Sequence, residues 1–294
     1  MTLLKRLARA RRAFSQVDTA REMRMAQPPQ GAQPTTQYFY LTPELALTRQ
    51  ANGLLLYVDP QDETMSAHLI GYGYWEPNVY QVVSSLAKPG DVIVEVGANV
   101  GYYTVAMGAM VGASGQIHSF EANARLARMV ERSAYINGMT DRIVVHPKAV
   151  VGEAGVVRFE RSRKRSGWGH VSQQAEAVFD DSEIVEVEAT TLDSLELSRV
   201  DLLRLDAEGS EPLILEGAAD ILARNPDLKI CMEWDPIQMR ARTDLQTFVA
   251  RLDALGFRLW RIGADASLTE TPMRAADALP TCDVVISRQP PMSG

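Results

Sequence analysis

Cysteine, histidine and long apolar runs are all scarce in this sequence. Only Cys231 and Cys282 occur among 294 residues, both in apolar strand-like runs. That excludes a disulfide framework, leaves no thiolate set for a zinc cluster, and makes a reducing cytoplasm the expected address. The longest apolar stretches, such as residues 92–100 and 105–113, are broken by glycine, polar or charged residues well short of the roughly 20 needed to cross a bilayer. What is present is ordinary globular composition, 46% hydrophobic and 23% charged, which excludes a mainly disordered or collagen-like chain. The length suits one decorated α/β core with extensions better than two equal domains.

The net charge of −7 is unevenly spread. Residues 1–24 carry seven basic groups against Asp18 and Glu22, leaving 23 basic against 35 acidic groups, or −12, for the rest. Such a body repels phosphates, so nucleic acid is not an expected partner. In the basic arm, Leu3, Leu4, Leu7, Phe14 and Val17 recur near helical spacing. This suits a short amphipathic helix, either solvated and self-packing or laid on an anionic membrane or a partner. It lacks the apolar core and cleavage site of a secretory signal. Residues 26–36, rich in Pro, Gln and Gly, read as a linker, which divides the chain into arm and linker (1–36), an N-terminal cap (37–87) and a main domain (88–294).

In the cap, residues 53–59 are strand-like and 77–87 helical, closed by Lys88, Pro89 and Gly90. The main domain is rhythmic. Strands are predicted over 91–96, 116–120, 142–147, 200–205, 228–233, 257–261 and 282–287, and helices over 102–110, 126–137, 211–223 and 243–255. The alternation implies a doubly wound, mainly parallel sheet with helices on both faces and a crevice at the carboxyl ends of the strands. The rhythm breaks at a strand pair, 156–160 and 184–188, that encloses a polar loop over 161–180.

Chemistry concentrates at the strand ends. Glu95, Gly97, Ala98, Asn99 and Gly101 form a Glu-x-Gly-x-x-x-Gly turn. Asn99 stands near a glycine position of the dinucleotide fingerprint, and the pattern suits a cofactor with an amino-acid tail and no pyrophosphate. Glu95 is placed to pair with a cationic amino group, or the glycines serve plain helix packing. Glu121, some 20 residues on at the end of the second strand, is placed to accept hydrogen bonds from both hydroxyls of a ribose. Asp206 and Glu208 end a further strand at the same edge, with Glu233 and Asp235 at its neighbour. Asp206 could hold an amino group, orient a substrate hydroxyl or bind a cation, and Glu208 could do the same or cap a helix. His170, in the loop Ser166-Gly167-Trp168-Gly169-His170, is the histidine best placed to act as a base; His118 and His146 fall in strands and His68 in the N-terminal part.

These motifs resemble class I S-adenosylmethionine-dependent methyltransferases and, more narrowly, the FkbM family. The resemblance runs from about Tyr74 to Pro236. Its carriers are Gly73-Tyr74-Trp75-Glu76-Pro77, Lys88 to Asp91 leading into Glu95 to Tyr103, Phe120-Glu121-Ala122-Asn123, Thr191 to Leu195, and Leu205-Asp206-Ala207-Glu208-Gly209-Ser210-Glu211 with Leu215 to Ala218. The family usually has proline at Ala122 or Asn123 and lysine at Arg204; neither departure removes a carboxylate.

The resemblance implies a seven-stranded Rossmann-like sheet and methyl transfer to a hydroxyl of a sugar, glycan, polyketide or related metabolite in a natural-product or surface-glycan pathway. With the residue-level reading, it makes Glu76, Glu95, Gly97, Ala98, Asn99, Gly101, Tyr102, Tyr103, Glu121, Ala122 and Asp206 the expected cofactor site. Asp206, Glu208, His170 and Glu233 are the expected catalytic set. Hydroxyl activation by Mg²⁺ on Asp206, Glu233 and Asp235 competes with a metal-free route using His170 or Glu208 as base. Two rival readings are an NAD-linked oxidoreductase or epimerase, which lacks its glycine fingerprint here, and a noncatalytic scaffold of the same fold docking a partner through the arm.

Overall fold

The structure is a computed structural model that describes residues 37–292 apart from 163, 173, 175, 176, 178 and 179. The basic arm and linker expected over 1–36 lie outside the described residues. Strands β1 (Tyr38–Thr42), β2 (Leu45–Arg49) and β3 (Leu55–Val58) form an antiparallel sheet, followed by helices α1 (Met65–Tyr72) and α2 (Pro77–Leu86). Next come β4 (Val92–Val96), α3 (Tyr102–Val111), β5 (Gln116–Phe120), α4 (Ala124–Ile136), β6 (Ile143–His146) and β7 (Ala149–Val150). The strand pair is β8 (Gly155–Ser162) and β10 (Ser182–Thr190), with β9 (His170–Val171) between them in sequence. The remainder is β11 (Leu202–Leu205), α5 (Glu211–Glu216), α6 (Ala219–Arg224), β12 (Lys229–Trp234), α7 (Pro236–Arg240), α8 (Leu245–Ala254), β13 (Arg258–Ile262), β14 (Leu268–Thr271) and β15 (Cys282–Ser287).

The main sheet has the order β14-β13-β15-β12-β11-β4-β5-β6. Its central strands, β4, β5, β11, β12 and β15, are buried on both sides, so they read as continuous apolar runs whose alternate residues enter two different cores. Ile93, Ile117, Leu202, Cys231 and Val285 face one core with α2, α3 and α4. Val94, Val96, Leu203, Ile230, Val284 and Ile286 face the other, with α5, α6 and α8. This is the doubly wound Rossmann-like architecture expected. The strand count differs: eight, not seven, because β14 adds to β13 in antiparallel register from Leu259↔Thr271 to Ile262↔Leu268. The helix expected over 211–223 is two helices, since a Cβ at Gly217 would come 2.5 Å from the Val151 carbonyl oxygen, so the chain passes too close to that loop for anything but glycine.

Parallel pairing aligns Val96 with Phe120 and with Leu205, and Leu205 with Met232, so the turns after β4, β5, β11 and β12 emerge side by side. The sheet order reverses between β4 and β11, the place where such folds open a crevice. The cap covers one side. Its β3 edge is bonded by side chains of α4: Asn137 Oδ1 accepts from the Leu55 N–H at 3.0 Å and Ser133 Oγ from the Tyr57 N–H at 3.0 Å. Leu56 and Val58 join the same core as α2 and α3. No helix among the described residues is long and apolar enough to cross a membrane.

Candidate active site

A cavity of about 570 Å³ opens at the switch point between β4 and β11. One side is the glycine turn. Gly97 has φ +87°, and a Cβ there would overlap the Asp206 carbonyl oxygen, so the turns after β4 and β11 touch only because residue 97 is glycine. The Gly97 and Ala98 N–H groups both donate to the Phe120 carbonyl, at 3.0 and 3.1 Å. Asn99, at φ +53°, turns its N–H onto Glu121 Oε2 at 2.7 Å, while Glu121 Oε1 accepts from the Asn123 N–H at 2.8 Å. Glu121 lines the cavity with backbone donors and, among the described residues, no cation in ion-pair contact. Burial pushes its carboxyl up to about 7, against the pull of the Asn123 and Asn99 N–H groups. The Asn99 Oδ1 is buried beside it without a hydrogen-bond partner.

Not every residue expected at the cofactor reaches the cavity. Gly97, Ala98, Asn99, Tyr103, Glu121, Ala122 and Asp206 line it; Glu76, Glu95, Gly101 and Tyr102 do not. Gly101 is needed by the helices instead, since a Cβ there would stand 3.2 Å from Val130 of α4 at φ +90°. Glu95 lies fully buried beneath the site, where it accepts from Ser119 Oγ at 3.1 Å and from Thr104 Oγ1 and faces Arg204 at 3.7 Å. Its cationic partner is thus supplied by the chain itself. Arg204 lies 4.0 Å over the Tyr103 ring and donates to Asp206 Oδ2 at 3.0 Å, while the Tyr103 hydroxyl donates to Glu76 at 3.4 Å.

Asp206, Glu208 and Glu233 each bring a carboxylate oxygen within 4.8 Å of the others. Glu208, at φ +51°, accepts from Gln238 Nε2 at 3.2 Å. Asp235 does not join them; it caps α7, accepting from the Ile237 and Gln238 N–H groups at 2.9 and 3.1 Å.

His170 is neither loose nor solvated as its sequence setting suggests. It pairs with Glu160 in β9 and lines the cavity, 7% exposed. Its Nδ1 lies 3.2 Å from the Trp168 carbonyl, which can only accept and so favours the proton on Nδ1, while Nε2 faces Glu160 Oε2 at 3.8 Å. Burial, then the charge of Arg242, lowers its pKa and keeps the ring neutral. His118 and His146 stack on each other outside the cavity.

The far wall joins α1 of the cap to the segment between β8 and β9, within the polar loop expected over 161–180. Asp62, 3% exposed, accepts from the Ser66 N–H of α1 at 2.7 Å and from Ser166 through N–H (2.9 Å) and Oγ (2.8 Å). Inside this bolt, His68 packs against Tyr72, Tyr74 and Trp75 with ring centroids 4.6, 5.3 and 5.5 Å away. Arg165 stacks on Trp168. Trp75 lay within a motif already noted; nothing in the local sequence marks Asp62 or His68.

Strand order and a cavity at the switch point are those of a doubly wound, Rossmann-like fold. The Methyltransferase FkbM domain matches residues 95–259, more than half of the chain, and the chain belongs to that family. No curated protein matches it. Among solved structures it is similar to methyltransferase FkbM from Methylobacillus flagellatus KT (14% identity, 67% of this chain and 43% of that one, TM-score 0.44). It is also similar to the O-methyltransferase from Bacillus cereus in complex with S-adenosylhomocysteine (13%, 71% and 77%, 0.40). A third is the O-methyltransferase TomG from Streptomyces achromogenes, involved in tomaymycin synthesis and solved with S-adenosylmethionine (11%, 72% and 79%, 0.42).

Proposed function

We propose that this chain is an S-adenosylmethionine-dependent O-methyltransferase acting in the cytoplasm on a hydroxyl of a sugar, glycan, polyketide or related small metabolite. The observation that carries the reading is Glu121: a buried cavity carboxylate, held by two backbone N–H groups and paired with no cation among the described residues, beside a glycine turn that keeps the backbone open. Hydroxyl donors of a ribose fit that carboxylate, and the unpartnered Asn99 Oδ1 is a further acceptor next to it. Asp206, at the cavity wall with Arg204 on one oxygen, is suited to an ammonium group. When bound, S-adenosylmethionine supplies an electrophilic methyl group.

An aliphatic hydroxyl is a poor nucleophile near neutral pH, so this chain must take up its proton. His170 serves as that base through Nε2, because burial keeps the ring neutral and Nδ1 is committed to Trp168. Glu208 is the alternative acceptor of the proton. A second route is favoured by one observation, the convergence of Asp206, Glu208 and Glu233 within 4.8 Å: these would hold Mg²⁺ as hard oxygen ligands, lowering the pKa of the hydroxyl.

Calorimetry with S-adenosylhomocysteine against NAD tests the cofactor, and binding of NAD alone would return the oxidoreductase reading. Binding of neither, with a partner captured through the arm, would favour the scaffold. Methyl transfer that survives EDTA and falls ~10²–10⁴-fold in His170→Ala supports histidine as base. Loss in EDTA with rescue by Mg²⁺ would transfer that task to the carboxylates.

A further inference from the structure

We propose that the acceptor carries an anionic group, a phosphate or a carboxylate, bound by Arg165 on the wall opposite the carboxylates. The proposal rests on the methyltransferase reading and names the substrate class of that site. Arg165 lines the cavity, half-buried, with its guanidinium carbon 4.2 Å above the Trp168 ring. Among the described residues, Arg161 and Lys148, which also line the cavity, are paired, with Glu183 at 3.0 Å and Glu188 at 3.2 Å. Arg165 has no carboxylate within ion-pair distance among the described residues.

Its place is also fixed. The Arg165 N–H donates to Ser162 Oγ at 3.0 Å, and the next residue, Ser166, is held by both its N–H and its hydroxyl on buried Asp62. Stacking on an indole stabilises the charge but uses none of the in-plane N–H donors. That planar fork matches a carboxylate or phosphate through two parallel hydrogen bonds, and little side-chain freedom is left to lose on binding. The cavity thus carries Glu121, Asp206 and Glu208 on the turns at the strand ends and Arg165 on the segment between β8 and β9. Trp168, Tyr72 and His68 offer flat faces between which the uncharged body of a hydroxylated ring can lie.

The full-length protein, saturated with S-adenosylhomocysteine, is titrated calorimetrically with glucose, glucose 6-phosphate and glucuronate, as wild type, Arg165→Gln and Arg165→Lys. A charged probe is expected to bind roughly 10–100-fold more tightly than glucose, the range of hydrogen bonds to a charged group. Arg165→Gln should erase that preference and Arg165→Lys keep part of it, with S-adenosylhomocysteine affinity equal in all three. Preference for the phosphate or for the uronate decides which anion is read. No difference between charged and neutral probes in the wild type, including no binding by any, overturns the anionic acceptor while leaving the methyltransferase reading intact. A preference that survives Arg165→Gln overturns the assignment to Arg165. A wild type that binds no S-adenosylhomocysteine removes the methyltransferase reading and this proposal with it.

Discussion

The two sides of the cavity are built by different means. The side at the strand ends is held by backbone: a glycine in contact with the Asp206 carbonyl, two N–H groups on Phe120, two more on Glu121, all within turns that parallel strands hold in register. The side toward the cap is held by side chains, with Asp62 bonding Ser166 across 104 positions of chain. A wall of backbone is set by the sheet and tolerates few changes at its glycines. A wall of side chains can be altered one residue at a time, which is where acceptor choice can change without loss of the fold.

That contrast is open to test, beginning with Gly97→Ala. The new methyl group meets backbone that cannot retreat, at a φ that favours glycine, so a loss above ~4 kcal/mol in urea unfolding, or no soluble protein, is expected. A stable Gly97→Ala protein would break the comparison. Asp62→Ala should cost about 3 kcal/mol of stability by stranding the donors of Ser166 and Ser66, and should depress acceptor turnover while S-adenosylhomocysteine affinity holds. If donor affinity fell in step, the two walls would not be separable.

Glu121→Ala should weaken S-adenosylhomocysteine binding by ~1.5–3 kcal/mol with the fold retained. The same residue predicts a pH dependence. Because its carboxyl is raised to about 7, its contribution to stability is complete below the unfolded value near 4.5 and is lost as pH rises through about 7. Binding runs the other way, since the ionised form is the better acceptor: affinity should rise roughly 3–10-fold from pH 6 to 8 and flatten in Glu121→Gln. Glu211, also raised to about 7 by burial, lies outside the cavity and should affect stability alone. The smallest effect is expected from deleting residues 1–30, which should leave donor binding unchanged; a truncated protein that cannot bind would tie the arm to the domain.

How much was legible follows the same division. The strands announce themselves because residues such as Ile93 and Val94 must fill cores on opposite faces, and Glu121 because one strand and one turn place it. Gly101 was readable as a glycine serving either the cofactor or helix packing, but its partner Val130 was not, because it lies 29 positions away. His170 resembled a loop residue because its partner Glu160 lies in a strand ten positions back, and no local signal reports that pairing. Glu95 was correctly placed at a strand, yet Arg204, which faces it, comes from β11. The eighth strand escaped notice because Leu268–Thr271 is short and mostly exposed, as edge strands are.

Finally, β15 runs antiparallel between β12 and β13, both of which precede it in the chain. Without residues 282–287, β12 keeps β11 on one edge and β13 keeps β14, but the edge that each turns toward β15 is open to other strands. A chain that ends before Cys282 therefore has two unpaired edges in the middle of its sheet, and aggregation rather than a slightly shortened protein is the expected outcome.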